Sequence, residues 1–116
     1  MTPAPYTFPE IRRGNSIPGF DVASLTYSAT NAPVLLASAA LEIRTAAGTL
    51  LKRYDTAAGS ASLSAPNTVT LAFTPGSETA AFPVGTHQYD LLVRLQSGET
   101  WTVLAGPVRV VASITQ

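Results

Sequence analysis

The chain has 116 residues, enough for one domain with its own core. Its seven Lys and Arg balance seven Asp and Glu, and charged residues make up 12% of the chain, about half the ~25% usual in soluble domains. That weak field argues against nucleic acid or an anionic membrane surface as a direct partner. The absence of cysteine excludes disulfides and thiolate metal sites.

Met1 to Glu10 carries three prolines with Tyr6 and Phe8 between them, and reads as an extended arm (residues 1–10) ahead of a domain over 11–116. It has neither the basic start nor the apolar stretch of a secretory signal, and no run approaches the ~20 apolar residues that span a bilayer. Synthesis in the cytoplasm is the expectation. Ile11 to Ser16 reads as a short edge strand closing at Gly14. Phe20 to Tyr27 follows, with Phe20, Val22, Leu25 and Tyr27 inward and a bulge near Ala23, where the parity changes.

Thr30 to Pro33 is a turn. Ala39 to Thr45 is a strand with Ala39, Leu41 and Ile43 on one face and Glu42 and Arg44 on the other. Gly48 closes a short hairpin, and Thr49 to Tyr54 returns. Ala61 to Ser64 is a short strand, and Thr68 to Phe73 alternates Val69, Leu71 and Phe73 inward. A helical turn fits only Thr74 to Gly85, around Ser77 to Ala81. Thr86 to Gln96 places Tyr89, Leu91, Val93 and Leu95 on one face. Trp101 to Ala112 returns after the Ser97-Gly98-Glu99 turn, with Trp101 and Val103 inward and a second parity change assigned to Gly106-Pro107. Seven to nine short strands with period-two alternation predict an all-β, antiparallel, two-sheet sandwich of immunoglobulin-like type.

Chemistry-bearing residues are sparse. His87 is the one histidine, and Asp90, three residues on, points to the opposite face. The acids are isolated, with Glu42 expected to pair across strands with Arg94 or Lys52. No spacing suggests a catalytic, cofactor or metal site, so the chain reads as non-enzymatic, with His87 at a surface or rim. Trp101 with Tyr89 could form a sugar-stacking platform, although its shared face with Val103 favours core. The candidate interface is the proline-stiffened arm and the adjoining basic pair: Tyr6, Phe8, Arg12 and Arg13.

Three stretches carry a family resemblance: Arg13-Gly14-Asn15-Ser16; Pro33 to Gly48 with its Ile43-Arg44 pair and glycine turn; and Pro83 to Thr115 with its Tyr89-Asp90-Leu91 strand. Together they resemble small phage virion domains related to the N-terminal anchoring domain of upper baseplate proteins, across about four-fifths of the chain. Leu35, Leu36 and His87 depart from that pattern. The resemblance implies a structural protein of the tail, baseplate or fibre attachment, located in the virion. Its partners would be other virion proteins and copies of itself, in a homo-oligomer or symmetric array. A capsid decoration protein and a carbohydrate-binding module for host surfaces are the alternatives.

Overall fold

Residues 39–43 and 89–95 set the frame of the sandwich, because each alternates apolar and polar side chains over a run long enough to bury one face. The computed structural model describes residues 4–5 (backbone), 8, 10–27, 29–64 and 67–112. It shows an all-β, immunoglobulin-like sandwich of two sheets. The strands are β1 (Ala4–Pro5), β2 (Ile11–Arg12), β3 (Phe20–Ser24), β4 (Leu36–Arg44), β5 (Leu50–Asp55), β6 (Ala61–Ser64), β7 (Thr68–Leu71), β8 (Gly85–Leu95) and β9 (Thr100–Val111), with one helical turn, α1 (Gly76–Thr79).

The large sheet runs β1-β9-β8-β4-β5, and β2 also pairs with β9. The small sheet runs β3-β7-β6. All long pairings are antiparallel. The exceptions are β1 and β2, which lie parallel to β9 on its outer edge, with Ala4 opposite Leu104 and Ile11 opposite Val110.

The inward residues of β4 and β8 face those of β3 and β7: Leu41, Ile43, Leu91 and Val93 meet Val22, Val69 and Leu71 in one core. Gly48, at φ +95°, makes the β4–β5 turn, a conformation that glycine adopts without steric cost. The predicted bulge in β3 is present, its register shifting between Asp21 and Ala23.

The second parity change lies elsewhere than expected. The register of β8 and β9 shifts between Leu91/Leu104 and Leu92/Thr102, so the extra residue is Val103, not Gly106-Pro107. Val103 and Leu104 are consequently both buried. A bulge lets two successive apolar residues reach one core, and this explains how Trp101 and Val108, of opposite parity, both face inward. Gly106 and Pro107 stay in the regular ladder opposite Tyr89 and Gln88. Phe73 also differs from expectation: β7 stops at Leu71, and Phe73 is 62% exposed beyond it.

Candidate functional site

Of the predicted interface residues, Tyr6 lies outside the described residues. Phe8 is in the core, 2% exposed. Its ring meets Phe20 edge-on at 5.7 Å and tilts against Tyr89 at 5.5 Å. The burial of Phe8 follows from its neighbours, since β1 and β2 hold the chain on either side of it against β9.

Arg12 and Arg13 fasten the same segment. The Arg12 guanidinium donates to the Ala112 carbonyl at 3.3 Å and lies 3.9 Å from Glu10. Arg13 donates from Nε and Nη2 to the Ala80 carbonyl, at 3.3 and 2.8 Å. The next residue continues the clasp, as the Gly14 amide donates to Thr79 Oγ1, which in turn donates to the Asn15 carbonyl. The clasp is tight, since a Cβ on Gly76 would stand 2.3 Å from the Gly14 oxygen. These three residues therefore act within the chain: Phe8 as a plug, and the arginines as clamps.

His87 is buried rather than at a surface, and its Nε2 lies 2.7 Å from the Pro83 carbonyl. A carbonyl only accepts, so Nε2 carries the proton and is committed to that bond. Asp90 is on the opposite, outer face of β8.

That outer face of the large sheet carries a charge ladder. Glu42 pairs with Arg44 at 2.6 Å and with Arg53, which also binds Asp55 at 2.7 Å. On the other face of β5, the side of Tyr54, Lys52 pairs with Glu78 of α1 at 2.6 Å. The partners expected for Glu42, Arg94 and Lys52, are thus replaced. Arg44 lies two residues along the same strand face, and Arg53 is directly opposite Glu42 in register, which brings both within reach.

The hydrogen bond from Arg44, reinforced by Arg53 and opposed by partial burial, holds the Glu42 carboxyl below its ordinary range. Arg53 and then the Ala58 amide do the same for Asp55. Tyr54, between these residues in sequence, points inward. Burial pushes its phenol up, and its hydroxyl bonds Thr74 Oγ1 at 2.6 Å. Beside the ladder is an open groove of about 270 Å³, lined by Ser38, Ala40, Arg53, Leu92 and Arg94 among others. The outer face of the small sheet is different in kind: Ser24 bonds Thr68, Ser64 bonds Thr70, and Thr70 donates to Asp21.

One end of the sandwich is apolar at its surface. Tyr27 is 43% exposed and packs edge-on against the half-buried Trp101 at 6.2 Å. Trp101 Nε1 donates to Glu99 at 3.2 Å. Leu35, 48% exposed, sits at the same end, where its carbonyl accepts from the Gln96 amide. The aromatic partner of Trp101 is Tyr27 from the β3–β4 connection, not Tyr89, which faces Phe8 in the core. Among the described residues no group of three or more His, Cys, Asp or Glu is placed to hold a metal ion, and no helix is long and apolar enough to cross a membrane.

No protein-family model matches the chain, and no curated protein matches it. Among solved structures the chain is similar to CopC from Methylosinus trichosporium OB3b, at 15% identity and a TM-score of 0.48, over 90% of this chain and 88% of that one. This finding corrects the phage resemblance: the similarity found runs to CopC, not to a baseplate or other virion protein. The tail and baseplate, capsid-decoration and host-glycan readings fall with it. The stretches behind them were turn glycines and strand faces, which β-sandwich hairpins share whatever their function. At 15% identity the likeness to CopC is one of sandwich shape, and nothing of ligand or partner passes from it to this chain.

Proposed function

We propose that the chain is a non-enzymatic assembly domain that associates with further copies of itself. The observation that carries this reading is the apolar end formed by Tyr27, Leu35 and Trp101. Tyrosine and tryptophan offer large contact area at low entropic cost and anchor many interfaces. Here they stand on a chain with no net charge, so little long-range repulsion keeps copies apart.

The polar groups support the non-enzymatic part. Glu42, Arg53 and Asp55 are tied to one another, and His87 is committed to Pro83. An acid–base catalyst needs a group free to exchange a proton with substrate.

Sedimentation velocity over a concentration series tests the reading. Trp101 is the one tryptophan, so its emission reports on this end alone. Association is expected to move the boundary to larger species and the emission to the blue. The double variant Tyr27→Ala, Leu35→Ser is expected to weaken association about tenfold, the equivalent of about 1.4 kcal/mol. A single monomeric boundary at the highest concentration overturns the proposal.

A further inference from the structure

The outer face of β8 carries Asp90, Leu92 and Arg94 through its middle, all three exposed. Leu92 is 42% exposed and stands between small neighbours, Ala40 on β4 and Thr102 on β9. Asp90 lies directly opposite Glu42 in register, so two carboxylates stand side by side, an unfavourable cross-strand pair. Glu42 is compensated by Arg44 and Arg53, but among the described residues the Asp90 side chain makes no ion pair or hydrogen bond. Arg94 is unpaired among them too, its register partners being Ser38 and Thr100. A lone acid and a lone base thus flank one exposed leucine, each about 7 Å from it along the strand.

We infer that this face docks on the same face of a second copy, with Leu92 against Leu92 on a two-fold axis. The partner is a second copy because the pattern is self-complementary. With the axis lying between the sheets and across the strands, the second β8 runs antiparallel over the first. Asp90 of each copy then meets Arg94 of the other. Stacking with the two β8 strands parallel would set Asp90 over Asp90 and Arg94 over Arg94, so charge selects one orientation. The docked pair gives Asp90 the cation that its own chain does not supply. The rest of the face does not oppose the approach. Ser38, Ala40, Thr100 and Thr102 are small, and sheets packed face to face stand about 10 Å apart. Towards β5, Glu42, Arg44, Arg53 and Asp55 are tied together and carry no net charge between them. The inference rests on the reading that copies associate, and adds a contact on residues other than those of the apolar end.

Two full-length variants test it, Asp90→Arg and Arg94→Asp. Each alone places like charges across the contact, whereas a mixture of the two pairs opposite charges at both positions. Sedimentation velocity compares the natural chain, each variant, and the equimolar mixture. Association of the mixture is expected to be tighter than that of either variant alone by about tenfold. Both variants keep Tyr27, Leu35 and Trp101, so the apolar end contributes equally to every sample. A mixture no tighter than the separate variants, with the natural chain associating, overturns the docking face and leaves the apolar end standing. A monomeric boundary in every sample overturns both.

Discussion

The two flanks of the large sheet are protected by different means. On the β5 side the exposed strand carries Lys52 and Arg53, tied to Glu78, Glu42 and Asp55. On the β9 side the N-terminal segment covers the edge, burying Phe8 and Ile11 and placing Glu10 and Arg12 beside Arg109 and Ala112 at its end. Charge on an edge strand opposes pairing with another chain, because adding a strand there means desolvating or misplacing the charges. A cover made of backbone and a phenyl ring prevents pairing only while it stays in place. The comparison teaches that the β5 edge is closed by its composition, whereas the β9 edge is closed by a covering segment of the same chain.

The largest effect that sharpens this comparison is expected in the centre of the sheet, between the two flanks. Leu41 is wholly buried in β4, and Leu41→Ala removes a side chain where the surroundings cannot withdraw. A loss of about 2–5 kcal/mol is expected by urea unfolding. Phe8→Ala should cost less, about 1.5–3 kcal/mol, although phenylalanine is the larger residue. Its segment lies at the edge of the sheet, where the backbone can close over the lost ring instead of holding a cavity open. The same variant should raise hydrogen exchange along the outer edge of β9 while leaving β4 and β8 protected. A Phe8→Ala cost equal to or above that of Leu41→Ala would place the cover inside the cooperative core and break the distinction.

The smallest effect belongs to the charged flank. Glu42 and Asp55 are both held below the ordinary carboxylate range, so the folded state binds their protons less readily than the unfolded chain. The stability they contribute is fully present above that range and is lost as pH falls below about 4, through the depressed values. Glu42→Gln should cost about 0.5 kcal/mol at neutral pH, as an accessible pair does. It should also flatten the acid limb of the stability profile and reduce its dependence on salt. An unchanged acid limb in urea melts would show that the ladder adds nothing to stability.

Much of the sandwich was legible because its central strands are simple. Tyr89, Leu91, Val93 and Leu95 alternate without interruption, as do Ala39, Leu41 and Ile43, and one buried face fixes register. The bulge in β3 could be located because Val22 and Leu25 differ in parity. The bulge in β9 was misplaced because Gly106-Pro107 looks like a break, while the informative signal was the adjacent apolar pair Val103-Leu104. Phe73 looked inward because its strand could not be seen to stop at Leu71.

The partners of Glu42 and the burial of Phe8 were not legible for a shared reason. Each depends on which strands become neighbours, and local pattern does not encode that. Tyr6, Phe8, Arg12 and Arg13 stood out as candidates for contact, and Phe8 and the two arginines do make contacts. The contacts are with their own chain, because β9 has a free edge that the sequence alone does not reveal. The apolar end was half-visible in Trp101, but its companion Tyr27 lies far off in sequence and was assigned inward.

The most direct measurement is native-state hydrogen exchange at single-residue resolution, comparing the amides on the outer edge of β9, between Leu104 and Val111, with those of β4 and β8. The account predicts that the β9 edge exchanges through a local opening, far faster than the central strands and insensitive to low concentrations of urea. Exchange of both regions at one common rate, set by global unfolding, would contradict it.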